Sequence, residues 1–396
     1  IYSGIIRIYY IRKRRIILKE KLQEGLNILL RVVEKNTTLP ILSNVLIGSE
    51  KNFLTLSATN LEIGVKHWIL SRVEKIGAIT VPLSIFSSVV NFLPKTSITL
   101  ETQDQSLLIG SENFKTNIKG LSAEDFPIIP TVSDGFSVIV PSFLFCEALS
   151  QVCELVLSSS ARPEISGVYV SFLDGSVKMA ATDSFRLAEK TFPLKENTQS
   201  KNNSFILPQK TAKEIVNIFG AKGEKSQENG QLKIFSDQGQ VLVESTMSET
   251  PHQETQLVSK LIDGEYPNYQ EIIPQKYDSQ VVLDRGEFLN QIKLASFFCG
   301  KTSEVKLNID PKKEMVEVYS QSQDVGHYSS FLPGKIKGKP REISFNYRFL
   351  LDGLLKIKSS EVIFDFSERN GELGPGVLRP MGDHSFIYVL MPLRTS

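Results

Sequence analysis

Between residues 180 and 190 the chain reads "AATDSFRLAEK", and Thr182, Asp183, Ser184 and Arg186 bring four polar side chains into five positions. Two chemistries suit those types. In the first, Ser184 is a nucleophile and Asp183 an acid or an orienting group. That needs a base within hydrogen-bond reach and an oxyanion hole. No Gly-x-Ser-x-Gly elbow surrounds Ser184, and none of His67, His252, His327 and His384 has an evident reason to approach it. In the second, Thr182 and Asp183 hydrogen-bond nearby backbone at a strand turn. Cys146, Cys153 and Cys299 make neither a disulfide framework nor a zinc spacing with the histidines. A reducing compartment is the simpler setting, and no catalytic residue, metal or cofactor is expected.

The elements that position this stretch repeat along the chain. "ILKEKLQEGL" from Ile17, "VPLSIFSSVV" from Val81, "VPSFLFCEAL" from Val140, "LPQKTAKEIV" from Leu207, "LDRGEFLNQI" from Leu283 and "FNYRFLLDGL" from Phe345 share one pattern. One apolar column is Leu22, Phe86, Phe145, Ala212, Phe288 and Leu350; another, four residues on, is Leu26, Val90, Leu149, Val216, Ile292 and Leu354. Apolar residues four apart line one helix face, Pro suits the first helical turn, and Asp284 and Asn346 suit N-caps. Each unit therefore reads as a strand end turning into an amphipathic helix. The units recur about every 60–75 residues, too far apart for the common solenoids.

Strand-like runs lie between the helices, separated by turn residues at Asp134-Gly135, Asp174-Gly175, Asn229-Gly230 and Asp263-Gly264. "LSATNLEIGVK" answers "MAATDSFRLAEK", and "VYSQSQDVGHY" answers more faintly. A Thr-Asx pair repeated as Thr59-Asn60 and Thr182-Asp183 favours turn chemistry, because a catalytic constellation has no need to be duplicated.

The bulk numbers agree with several domains. At roughly 150 residues each, 396 residues make two or three. Six units over three domains give two helices per domain, an α+β layer arrangement. The 41% hydrophobic content excludes a disordered chain. A net charge of +1 confines any nucleic-acid contact to a weak or local surface. No apolar run approaches the roughly 20 residues of a membrane helix. At the N-terminus, "IYSGIIRIYYIRKRR" begins with Ile and places its charges after the apolar residues, unlike a secretory signal. Residues 1–12 are expected to be a disordered or upstream-derived extension, with an added edge strand and a targeting role as alternatives.

At these motifs the chain resembles the bacterial DNA polymerase III beta subunits, the sliding clamps. The resemblance runs from about Lys13 to Ser396 through "TTLPILSNVLI", "ARPEISGVYV", "ATDSFRLA", "LIDGEYPNYQEIIP", "ISFNYRFLLDGLLKI" and "YVLMPLR", in the family's order and with family-like spacing. It implies three similar clamp domains, each with two helices packed on antiparallel sheets, over residues 13–132, 133–270 and 271–396. Two chains would join head to tail as a homodimeric ring around duplex DNA. Such a protein is a cytoplasmic, nucleoid-associated processivity factor without catalysis. It grips DNA independently of sequence and holds the replicative polymerase subunit, the clamp loader and repair proteins by short linear motifs. A clamp-fold interaction protein that never encircles DNA is the alternative.

The resemblance also assigns sites. The partner-peptide pocket is carried over to Ile165, Thr182, Ser184, Phe185, Arg186, Leu187, Pro267, Ile272, Pro375, Val389, Met391, Pro392, Leu393 and Arg394. Leu187, Ile272 and Val389 also suit ordinary core, whereas Arg186 and Arg394 suit peptide carbonyls or carboxylates. Phe185 stands where many members carry His, which makes the pocket more apolar. The DNA-facing candidates are Lys21, Arg31, Lys35, Lys210, Lys213, Lys293, Lys356, Lys358 and loop-borne Arg162, each of which also suits a solubilising surface position. Asn36, where Arg is frequent, and Pro163-Glu164 depart from the family pattern. Phe297 and Phe298 are expected to face Phe114 and Ile118 of the neighbouring subunit, since a large exposed aromatic pair needs a cover. The polar segment 248–256 reads as a hairpin tip without an assigned role.

Overall fold

A computed structural model describes residues 5–7, 18–33, 39–94, 98–111, 113–132, 135–156, 161–194, 202–220, 230–237, 239–369 and 372–393. Asp134, Asn229, Lys35, Asn36 and Arg394 lie outside the described residues. Among the described residues six α-helices stand at the six units read from the sequence: α1 Leu18–Leu29, α2 Leu83–Phe92, α3 Ser142–Val152, α4 Gln209–Ile215, α5 Arg285–Ser296 and α6 Tyr347–Lys356. Their starts follow local chemistry. The Asp284 carboxylate accepts from the Glu287 N–H at 2.8 Å, and the Asn346 side-chain oxygen accepts from the Arg348 N–H at 3.0 Å. Pro82, Pro141 and Pro208 end the preceding strands one residue before the helix rather than inside its first turn.

Both apolar columns are buried except at Val216. There α4 passes into a π-helical turn, Val216–Gly220. A π turn takes more residues per turn than an α-helix, so the buried face shifts from Val216 to Ile218 and Phe219.

The chain forms two compact units. Residues 1–147 with 210–261 make the first, and 148–209 with 262–396 the second. The first unit holds an antiparallel sheet in the order Ala78–Pro82, Asn44–Glu50, Phe53–Thr59, Ile63–Leu70, Gln253–Lys260, Gln240–Thr246, Gln231–Ser236, Phe136–Pro141. The second holds Asn203–Pro208, Gly167–Leu173, Ser176–Thr182, Arg186–Pro193, Phe386–Leu390, Glu372–Pro380, Glu361–Arg369, Ser279–Asp284, Lys335–Gly338. Each long sheet therefore has a seam where strands distant in sequence pair: Gly64 opposite Val258 in one, Leu187 opposite Val389 in the other. Two smaller sheets, one per unit, hold the other strands among the described residues. One runs Ile5–Arg7, Thr99–Gln103, Ser106–Ser111, Phe114–Lys119; the other runs Gly326–Pro333, Met315–Ser322, Glu304–Asp310, Arg341–Asn346. Residues 5–7 thus form an edge strand, with Ile6 opposite Leu100, and at these three positions the edge-strand alternative replaces the expected disorder.

The helices pack on the sheets in pairs. Lys19 of α1 is buried, and its ammonium donates to the Asn91 carbonyl at the end of α2 at 3.0 Å. In the second unit Lys356 of α6 donates to the Ser150 carbonyl of α3 at 2.7 Å, and Gln151 donates back to the Lys356 carbonyl at 3.1 Å. No helix among the described residues is long and apolar enough to cross a membrane.

Two outcomes follow from this packing. A Cβ on Gly353 of α6 would lie 2.7 Å from two ring carbons of buried Tyr388. Overpacking of about 1–3 kcal/mol outweighs the helix propensity that alanine adds, about 1 kcal/mol, so Gly353→Ala lowers the melting temperature in a calorimetric scan. Burial pushes the Cys146 thiol up to about 12 and that of Cys299 up to about 11. Neither forms the reactive thiolate near neutral pH, so a colorimetric thiol reagent at pH 8 labels both only after denaturant unfolds the chain.

Candidate partner-binding site

Strand Ser176–Thr182 turns into strand Arg186–Pro193 through Asp183, Ser184 and Phe185. The Thr182 hydroxyl donates to the Arg186 carbonyl at 2.7 Å and accepts from the Ser184 N–H at 3.1 Å. One Asp183 carboxylate oxygen accepts from the N–H groups of Phe185 and Arg186 at 3.0 and 2.9 Å. Ser184 sits in the left-handed region at φ +74°. The first unit repeats this turn atom for atom. The Thr59 hydroxyl bridges the Ile63 carbonyl and the Leu61 N–H, each at 3.0 Å. The Asn60 side-chain oxygen accepts from Glu62 and Ile63 at 3.1 and 2.8 Å, and Leu61 also has φ +74°. The faint third echo keeps one bond, from the Asp324 N–H to the Ser322 hydroxyl at 3.3 Å. Thr182 and Asp183 are thus occupied by turn chemistry, as the repetition suggested.

Arg186 clasps this turn to α6. Its Nε donates to the second Asp183 oxygen at 2.9 Å, and one terminal nitrogen donates to the Asp352 carboxylate. The guanidinium lies over the Phe349 ring at 4.6 Å. The same terminal nitrogen reaches the Tyr388 hydroxyl at 3.4 Å, and that hydroxyl donates to the Phe349 carbonyl at 2.8 Å. Burial holds the Tyr388 hydroxyl well above the usual phenol range, despite the nearby Arg186 charge, and keeps it a donor. Two carboxylates therefore already hold the cation that sequence reading offers to a peptide.

The remaining carried-over residues separate by burial. Leu187 and Val389 are opposite each other in the seam and belong to a core cluster with Ala180, Ile206, Val377, Tyr266 and Tyr269. Ile165, in a short 3-10 turn, and Thr182 are also buried. These four support a wall rather than present one. Phe185 is 59% exposed, and Ser184, Pro267, Ile272 and Met391 also face solvent, with Pro375, Pro392 and Leu393 half-buried. The Met391 N–H donates to the Phe185 carbonyl at 2.9 Å, so the turn and the last strand present these two side chains together. The Phe185 ring stacks on Phe349 at 6.3 Å. Phe349 and Asp352 are the residues that sequence reading missed. Their i, i+3 spacing on α6 placed them on one helix face, but nothing local tied that face to Arg186.

The DNA-facing candidates also divide. Lys21 is half-buried between Glu24 at 3.3 Å and Glu254 at 3.7 Å. Burial alone would lower its pKa, but those carboxylates hold it above the ordinary lysine value. Lys356 is engaged with α3 as described, and Lys213 is half-buried. Arg31, Arg162, Lys210, Lys293 and Lys358 are exposed.

Paired helices on antiparallel sheets, joined at a seam in each unit, make an α+β architecture of repeated units. Comparison with known proteins is specific: residues 14–130, 138–268 and 270–394 match the N-terminal, central and C-terminal domains of the DNA polymerase III beta subunit. The chain belongs to the DNA polymerase III beta subunit family. It is 26% identical over 380 residues to the beta sliding clamp of Synechococcus elongatus, covering 95% of this chain and 98% of that one. It is also 26% identical to the Bacillus subtilis beta sliding clamp over 393 residues, 95% of this chain and 98% of that one. Among solved structures, the Pseudomonas aeruginosa clamp bound to griselimycin superposes with TM-score 0.87 at 23% identity, over 99% of this chain and 100% of that one. The Bacillus subtilis clamp gives 0.86 at 24%, over 100% and 99%.

The clasp predicts an order of effects. Arg186→Ala strands the largely buried Asp183 carboxylate and is expected to cost about 3 kcal/mol. Asp352 is half-exposed, so Asp352→Ala costs under about 1 kcal/mol. Denaturant titrations of the two variants check the order. Ser184→Gly relieves left-handed strain of about 1 kcal/mol and raises the melting temperature, whereas a nucleophile could not be removed without loss of activity.

Proposed function

We propose that the chain is a DNA sliding clamp, a non-catalytic processivity factor of DNA replication. Two copies close head to tail into a ring around duplex DNA and tether the replicative polymerase subunit, the clamp loader and repair proteins. The observation that carries this reading is the ordered match of all three family domains along nearly the whole chain. The sixfold helix unit supports it independently, with two helices in each of the segments 13–132, 133–270 and 271–396. Function in such a ring is topological. The balanced charge suits it, because sequence-blind phosphate contacts suffice for position, and many of them would slow sliding through counterion-linked binding. Exposed Arg31, Arg162, Lys210, Lys293 and Lys358 are the best candidates for those contacts, with Lys21, Lys213 and Lys356 secondary. Replication on the nucleoid places the protein in the cytoplasm.

Two outer strands support the dimer. Phe114–Lys119 and Gly326–Pro333 each end a small sheet, and neither pairs on its far side among the described residues. Open strand edges invite pairing with another chain, and two different edges give a heterologous contact that closes when the rotation completes a ring. Phe114 is exposed there, and Phe297 is 71% exposed in the second unit. Phe298 is half-buried on Tyr328, and Ile118 points into its own sheet, so these two brace the contact from behind.

The partner pocket is proposed around Phe185 and Met391, flanked by Pro267, Ile272, Pro375, Pro392 and Leu393. Phe185 on Phe349 makes it an aromatic surface that favours apolar motif residues. The test pairs solution mass with DNA retention. A dimer that stays on nicked circular DNA after loading and leaves when the circle is cut is expected. A monomer at micromolar concentration that leaves circles as readily as linear DNA would overturn the clamp. For the pocket, Phe185→Ala is expected to weaken binding of a polymerase C-terminal peptide about tenfold, or about 1.4 kcal/mol, with DNA retention unchanged.

A further inference from the structure

The polar segment 248–256 finds a place in the first unit. His252 stacks on Phe53 with ring centres 3.9 Å apart and meets Trp68 edge-on at 5.8 Å. Beside this aromatic wall lies a cavity of about 350 Å³. Gly64, Val258, Leu242 and Ile129 line its apolar side, and Glu50, Lys66, Gln253 and Gln256 line its polar side.

The second unit has the same place and fills it. The matched turns set Gly64 and Lys66 in correspondence with Leu187 and Glu189. The seam rows correspond as well: Gly64, Val258, Leu242 in one unit and Leu187, Val389, Val377 in the other. On the second row sits Tyr269, packed in the core cluster, with its hydroxyl donating to Glu189 at 2.6 Å. The connecting segments explain the difference. "EDFPIIP" before residue 131 corresponds to "GEYPNYQEIIP" before residue 275, and the inserted "NYQE", residues 268–271, brings Tyr269. The first unit has no counterpart to those four residues. At Gly64, which stands where the second unit has Leu187, Ile129 fills the side-chain space, 2.7 Å from where a Cβ would lie, so the open volume traces to the missing Tyr269 alone. An aromatic side chain is what the cavity lacks relative to its twin.

The polarity of the twin is reversed. Where Glu189 accepts a hydrogen bond from Tyr269, Lys66 stands as a donor. Its ammonium is 3.0 Å from Glu50 and 4.7 Å from the Trp68 ring centre. An ammonium has three donors, so it can take a further acceptor while keeping Glu50.

We propose that this cavity is a second docking pocket, separate from the site around Phe185, and that it takes from a partner protein an aromatic side chain with a carboxylate beside it. The ring stands where Tyr269 stands in the second unit, and the carboxylate meets Lys66. Shape comes from the vacated volume, and charge complementarity from the exchange of Glu189 for Lys66.

Trp68 is the chain's one tryptophan, so its emission reads the pocket directly. The full chain is titrated with N-acetyl-phenylalanine, which keeps its carboxylate, and with N-acetyl-phenylalanine amide. Saturable change in Trp68 emission is expected with both, about three- to fivefold tighter for the carboxylate. Lys66→Met abolishes that preference while ring binding persists. Leu242→Phe fills the floor and abolishes both titrations. Grafting Asn-Tyr-Gln-Glu between Pro127 and Ile128 is the second blocking variant and serves if Leu242→Phe does not fold. No saturable change in the unaltered chain, equal binding of acid and amide, or binding that survives the blocking variant overturns the proposal.

Discussion

The seam between strands Arg186–Pro193 and Phe386–Leu390 is the constraint on which the second unit depends, as the seam between Ile63–Leu70 and Gln253–Lys260 is for the first. A small sheet left to itself exposes an edge that pairs with whatever it meets. Here the edges of different chain segments are spent on each other, and each joined sheet grows to a length that no single repeat supplies. Register at the seam cannot slip. A one-residue shift would turn Leu187 and Val389 from core to solvent. With the register held, the turn before Arg186 is also held, and Phe185 comes beside Met391 by a backbone hydrogen bond rather than by chance of packing.

The same turn does two jobs because its polar side chains serve the backbone and leave their neighbours to vary. Thr182 and Asp183 satisfy five backbone or guanidinium groups, much as Thr59 and Asn60 satisfy their own turn. Divergence then lies in what flanks the turn. In the second unit Asp183 is charged and recruits Arg186, which reaches Asp352 and Phe349 on α6. In the first, Asn60 carries no charge, Ile63 replaces the arginine, Ile129 covers Gly64, and the shorter connecting segment leaves volume beside the seam. Duplicated geometry with unequal filling lets a repeated fold hold distinct surfaces.

Charge is used sparingly. Several lysines that sequence reading pointed towards DNA are engaged with carboxylates or helix ends, as Lys21 and Lys356 are. The exposed charge that remains, at Arg31, Arg162, Lys210, Lys293 and Lys358, is diffuse, and the topological link proposed above asks no more of it than weak, sequence-blind attraction.

The parts legible in the sequence were those fixed by short-range chemistry. The six helix starts follow from N-caps, prolines and apolar columns, and the Thr-Asx turn follows from side chains that bond backbone two to four residues away. Even the exception at Val216 is a local change of helix pitch. Tertiary structure alone decided which carried-over residues are surface. Leu187, Val389 and Ile118 are buried because of the sheet face they occupy, and a sequence pattern does not say which face meets a neighbour. It alone paired Arg186 with Asp352, far along the chain, and left Phe185 rather than Arg186 as the side chain on offer. It alone revealed the cavity at Lys66, since an empty volume is defined by the absence of a residue that only the twin unit supplies. Local bonds are written into neighbouring residues; burial, ion pairing and voids belong to surfaces that exist only once distant strands have met.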